Sequence, residues 1–103
     1  MPTPDYVTYI LDSGLAAVGS PHTGDAFEIG PHRQLSIQLI GTGIGGADSL
    51  QMEQSNDKVT WENLGAGIAA AGVTEDTCDA KFVRSVMTID TGTAISIVVC
   101  AKP

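Results

Sequence analysis

Leu35-Ser36-Ile37-Gln38-Leu39 trades apolar and polar side chains one by one, a period of two that only an extended strand with one buried face satisfies. Leu35, Ile37 and Leu39 fall on one face, Ser36 and Gln38 on the other. The same rhythm returns over residues 95–101, where Ile95, Ile97 and Val99 stay in phase. The opposing set there, Ser96, Val98 and Cys100, is only partly polar, so that face is expected to be covered by something else. Residues 81–89 read as a further strand, with Val83, Met87 and Ile89 on one side and Phe82, Arg84, Val86 and Thr88 on the other. Another is expected over residues 5–11, where Val7, Tyr9 and Leu11 alternate with Tyr6, Thr8 and Ile10. β-Branched residues crowd these segments, as suits a pleated, half-buried surface. Nowhere does a convincing amphipathic helix interrupt them.

Turn formers separate the strands. Ser55-Asn56-Asp57-Lys58 lies between Leu50-Gln51-Met52-Glu53 and Val59-Thr60-Trp61-Glu62-Asn63-Leu64, a hairpin signal in which Asn and Asp cap their own turn. Asp90-Thr91-Gly92-Thr93 is expected to join the last two strands in the same way. Residues 65–72, rich in Gly and Ala, read as one helical turn or a loop, and residues 12–25 as a long connection. The sum is an all-β chain: an antiparallel β-sandwich, jelly-roll or immunoglobulin-like, with at most one short helical turn. With 103 residues it forms one domain, an N-terminal arm over 1–5 followed by a single sandwich over 6–103. A core of that size buries roughly 65% of the unfolded surface.

Charge narrows the class of partner. Twelve acidic against five basic residues give a net charge of −7, which argues against nucleic acid and anionic membrane surfaces, both of which need clustered Lys and Arg. The apolar runs fall far short of the ~20 residues of a spanning helix. Residues 1–5 carry neither a basic stretch nor an apolar segment, so the chain is expected to be unprocessed and made in a cytoplasm. Cys78 and Cys100 are too far apart for a redox or zinc motif. A disulfide between them would need an oxidising setting; in a reducing cytoplasm they are expected to remain buried or half-buried thiols.

Several constellations bear on chemistry. Gly41-Thr42-Gly43-Ile44-Gly45-Gly46 satisfies GxGxxG behind a strand, and Glu62 falls near the place of a ribose-binding acid. A phosphate site there would need a helix over residues 47–54, whose apolar face Asp48, Glu53 and Gln54 interrupt, and no further βα units follow. The segment is therefore expected to be a β-to-β loop. His22 and His32 each follow a proline in expected loops, without the convergent spacing of a metal site. The acids Glu75, Asp76 and Asp79 around Thr77-Cys78 lack calcium-loop spacing. No GxSxG elbow is present. Trp61 is either an inter-sheet core plug or a platform on which a sugar stacks, and the first is expected. These readings predict no enzyme, no cofactor and no metal.

The stretch from Gln51 through the Ser55-Asn56-Asp57 turn and Thr60-Trp61 to Leu64 resembles the GSNDG…TW…L hairpin of small β-sandwich virion proteins of tailed bacteriophages. Lys81-Phe82-Val83-Arg84-Ser85-Val86, Gly92-Thr93-Ala94-Ile95-Ser96-Ile97 and Ala101-Lys102-Pro103 resemble their final hairpin. Gln54 and Lys58 stand where glycines often flank Ser-Asn-Asp in that family. The resemblance covers roughly the C-terminal half and implies a capsid decoration (cement) protein, or a head–tail accessory, located in the virion and assembled in the host cytoplasm. Its implied partners are the major capsid protein or another virion protein and further copies of itself, with a trimer as the leading arrangement. The arm Met1, Pro2, Thr3, Pro4 and Asp5 would lie along a neighbour, and the strong negative charge would keep a many-copy display protein soluble. The rival reading is a carbohydrate-binding or adhesion sandwich in which Trp61, with Tyr6 or Tyr9, stacks on a sugar and the loop 41–46 shapes a groove.

Overall fold

The strand predicted around Leu35–Leu39 is β4 (Gln34–Thr42), and it lies beside the C-terminal strand β9 (Thr93–Lys102), the two pairing antiparallel with Ile37 opposite Val99. The computed structural model describes residues 7–15, 21–29 and 33–102. Seven more strands complete it: β1 (Val7–Leu15), β2 (His22–Thr23), β3 (Phe27–Glu28), β5 (Ser49–Ser55), β6 (Glu62–Ile68), β7 (Gly72–Thr77) and β8 (Phe82–Thr88). Among the described residues there is no helix. One sheet runs β1-β9-β4-β7; the other runs β2-β8-β5-β6, with β3 also on β8. Gly24 N donates to Ser85 O and Ile29 N to Lys81 O, so β2 and β3 act as one interrupted strand along β8. With those two counted together, every connection crosses between sheets except the β5–β6 hairpin. That is the winding of an eight-stranded jelly roll, which decides between the two sandwich types the sequence left open.

Period-two patterning explains the core. Leu35, Ile37 and Leu39 of β4, Ile95, Ile97 and Val99 of β9, Leu50 and Met52 of β5, and Val83 and Met87 of β8 are all buried between the sheets. Each such side chain contributes ~1.5–3 kcal/mol of transfer free energy. Tyr9 of β1 and Phe27 of β3 meet across one open side, ring centroids 5.2 Å apart, and the Tyr9 hydroxyl donates to Glu28 O at 3.2 Å.

Four expectations are corrected. Residues 12–25 are not one long connection: β1 continues to Leu15 through two register shifts, and His22–Thr23 pairs with β8. The shifts break the alternation, which is why the pattern ended early. Residues 65–72 hold no helical turn, and their loop is confined to residues 69–71, since β6 reaches Ile68 and β7 starts at Gly72. β7 is an edge strand with few apolar side chains and so gave no periodic signal. The second strand of the 50–64 hairpin begins at Glu62, leaving Val59 82% exposed in the turn. Finally, β8 and β9 are not a hairpin; they lie in opposite sheets.

Candidate functional site

At one end of the sandwich two inter-sheet crossings run side by side, residues 43–48 between β4 and β5 and residues 89–92 between β8 and β9. Asp48, 1% exposed, lies between them. Its Oδ1 accepts the amides of Asp90 and Thr91, the latter at 3.2 Å. Its Oδ2 accepts the amides of Gly45 at 3.0 Å and Gly92 at 2.9 Å. The Thr91 hydroxyl stands 3.1 Å from the same oxygen and 2.9 Å from Gly43 O. In return Asp90 Oδ2 accepts the Ala47 amide at 3.3 Å. Glycine is required here: Gly46 sits at φ +56, and a Cβ on Gly92 would stand 2.7 Å from Ile95 Cδ1. The Asp90 amide, then the Gly45 amide, hold the Asp48 carboxyl below its ordinary value against the opposing effect of burial. A carboxylate so fully supplied with donors is an internal anion, not a free base. The glycine loop thus turns its amides on the protein's own carboxylate, and the chain leaves Gly46 toward strand β5 with no helix N-terminus to receive a phosphate. Glu62 pairs with Gln54 at the far end of β5, away from that loop.

The opposite end carries the β5–β6 turn. Asp57 Oδ1 accepts the amides of Val59 and Thr60 at 2.8 and 2.9 Å and the Ser55 hydroxyl at 2.9 Å, while Ser55 Oγ accepts the Lys58 amide. These bonds, those from Thr60 and Val59 foremost, also hold the Asp57 carboxyl low. Asn56 Oδ1 accepts the Lys81 amide and Gln54 Oε1 the Asp79 amide, which ties the β7–β8 loop to the turn. A shallow depression lined by Gln54, Asn56, Asp57, Thr60, Glu62 and Asp79 opens here, and most of its polar groups already serve those closures.

Three of the five basic residues cover two aromatic rings, Trp61 and Phe82, on the outward side of β8. The Arg84 guanidinium lies 4.2 Å from the Trp61 ring centre, and Lys58 Nζ and Lys81 Nζ lie 5.1 and 6.0 Å from that of Phe82. Arg84 Nε also donates to Glu53 Oε1 at 2.7 Å. Trp61 is therefore half-buried on the outside of a sheet and not an inter-sheet plug. The alternation that places it one residue before β6 gives no clue to this, because the turn breaks the register. Of the proposed sugar-stacking residues Tyr6 lies outside the described residues, and the others do not converge. Arg84 stacks on Trp61, Tyr9 packs against Phe27 between the sheets, and the 41–46 loop lies at the other end of β5.

His22 stands half-buried on β2; His32 lies outside the described residues, as does the arm Met1–Asp5. Glu75 and Asp76 fall on β7 and Asp79 in the loop after it. Among the described residues no three His, Cys, Asp or Glu side chains are grouped to hold a metal. Cys78 is buried and Cys100 half-buried on the outward side of β9, and the two are unpaired. Asp48 is the residue that sequence reasoning passed over, counting it only as a break in a helical face; an Asp closing a glycine-rich turn is the signal that marks it.

No family model matches the chain, and no curated protein does. Among solved structures it is similar to the SPBc2 prophage-derived protein YomS, with a TM-score of 0.73 and 12% identity over 100% of this chain and 97% of that one. At that identity the likeness is one of fold, extending over the whole jelly roll.

Proposed function

We propose that the chain is a structural protein of a phage particle, a capsid decoration protein that stabilises the shell through protein–protein contacts and that self-associates. The observation that carries this reading is the full-length likeness to a prophage-derived protein, joined to a sandwich whose buried carboxylate and turn groups are spent on closing loops. Its partners are the major capsid protein or another virion protein, and the arm Met1–Asp5 lies along a neighbour's surface. A net charge of −7 suits display in many copies. The test is co-sedimentation of the purified protein with shells of its phage that lack it. Saturable binding, weakened by removal of residues 2–5, is the expected result. Absence from both the shells and the mass spectrum of purified virions would overturn the reading.

A further inference from the structure

We infer that the outward face formed by β9, β4 and β7 is the self-association surface, on which a second copy packs face to face about a two-fold axis running along β4. The inference deepens the self-association proposed above and rests on it, but not on the virion role. It starts from charge. On the outward positions of β4, β9 and β7, register places Val98, Gln38 and Val73 in one row and Cys100, Ser36 and Glu75 in the next. Ile40 and Ser96 extend the face on one side, and Gln34, Lys102 and Thr77 on the other. Among these positions of β4, β9 and β7 only Glu75 and Lys102 are charged, and both lie toward one end. Depletion of charge with retained apolar side chains is the compositional mark of an interface centre. Val73 and Ile40 are 61% and 43% exposed there. In a chain of net charge −7, copies repel wherever acidic surface meets acidic surface. This sheet face offers them an approach without that cost.

A two-fold along β4 matches the apolar and charged positions of the two copies. Rotation about β4 carries β9 of one copy over β7 of the other. Val98 then meets Val73 of the second copy, and Gln38 and Ile40 meet their own equivalents. Lys102 arrives above Thr77, one side-chain row, or about 7 Å, from Glu75 of the second copy, within reach of a lysine. The two charges of the face are thereby matched in opposite sign. Three strands face the second copy, β9, β4 and β7; about 4.8 Å apart, with paired lengths of about 25 Å, they give a footprint of roughly 360 Å² per copy. The total of about 700 Å² is that of a weak dimer, populated at high protein concentration.

Sedimentation equilibrium at millimolar protein, with native mass spectrometry, tests it. The wild type is expected at twice the monomer mass. Val73→Glu, at an exposed position without core contacts, is expected to weaken the dimer at least about tenfold by placing like charges in the interface. Lys102→Glu weakens it and Lys102→Glu with Glu75→Lys restores it. In a Cys100→Ser background, Gln38→Cys is expected to give a covalent dimer on oxidation, and Val59→Cys none. A protein monomeric throughout would overturn both the self-association and the face. An oligomer indifferent to Val73→Glu, or a charge pair that fails to restore it, would overturn the face alone. Shell binding is a separate measurement, and its outcome leaves this one standing.

Discussion

Gly92 N donates to Asp48 Oδ2 at 2.9 Å across 44 positions of sequence. The bond joins the crossing into β5 to the crossing into β9, so one buried carboxylate fixes how the two sheets are connected at that end. Backbone amides exposed by two chain reversals need acceptors, and Asp48 supplies both of its oxygens to them. The sandwich's hydrophobic core fixes which faces meet; Asp48 fixes where the chain passes between them.

Replacing Asp48 therefore costs more than its size implies. Asp48→Ala leaves the amides of Gly45, Asp90, Thr91 and Gly92 without their acceptor. Asp48→Asn turns a donor on part of the same set. Both variants are expected to lower Tm by roughly 10 °C or more, read by circular dichroism, while Glu75→Gln on the exposed edge leaves Tm within a degree or two.

The same contacts set a pH dependence. The carboxyls of Asp48 and Asp57 titrate lower in the folded chain than in the unfolded one, because of the Asp90 and Gly45 amides in the first case and those of Thr60 and Val59 in the second. The unfolded state thus binds more protons in acid, and the stabilisation is complete above the unfolded value of about 3.9 and is lost as pH falls through the native values. Urea midpoints are expected to change little from neutrality to about pH 5 and to fall below about pH 4. In Asp48→Asn that fall should be shallower, and an equally steep one would remove Asp48 from the account.

Trp61 gives a contrasting case. As a core plug its truncation would unfold the protein; as a half-buried ring under Arg84 it should not. Trp61→Ala and Arg84→Ala are each expected to cost about 1 kcal/mol, the scale of an exposed cation–π contact with its packing. Arg84→Ala should also shift the emission of the single tryptophan, because the guanidinium 4.2 Å from the ring centre is lost. An unfolded Trp61→Ala would restore the core reading.

The pattern of legibility follows from this. Strands buried on one face along their whole length, β4, β8 and β9, announce themselves by alternation. β7 is polar at a sheet edge and β1 changes register twice, so neither keeps a phase that can be read. The 55–58 turn was legible because Ser55 and Asp57 bond locally. Asp48 and Arg84 act on partners 44 and 23 positions away, and local sequence says nothing of such distances. The jelly-roll winding was equally hidden, since a turn joining two strands looks alike whether or not they share a sheet.

Backbone strain marks a place where stability can be gained. Ala94, exposed at the start of β9, holds φ at 52°, where a Cβ costs roughly 1–2 kcal/mol and glycine costs nothing steric. After the greater chain entropy of glycine is offset, Ala94→Gly is expected to stabilise by about 0.5–1 kcal/mol in urea titrations. Lys58 holds φ at 62°, in the position where the resembling hairpins often carry glycine. There the gain is opposed by loss of the contact between Lys58 and Phe82, so Lys58→Gly should come out near zero. Equal gains at both sites would mean that the Lys58–Phe82 contact contributes nothing.

The two thiols separate folding from association. Cys78 is fully buried, with Sγ 3.4 Å from Ala80 O and 3.5 Å from Gln54 Oε1, and burial raises its pKa above the ordinary thiol value. A thiol that is both shielded and held protonated reacts only through opening of the structure. Cys100 is half-buried on the outward side of β9, within the proposed dimer face. Alkylation followed by mass spectrometry is therefore expected to label Cys100 in the dilute native protein and Cys78 only at the rate of unfolding. As protein concentration rises, Cys100 should become protected while Cys78 keeps its slow rate, and Val73→Glu should abolish that protection. Protection of Cys100 that does not depend on concentration would mean that its own chain, and not a second copy, covers it.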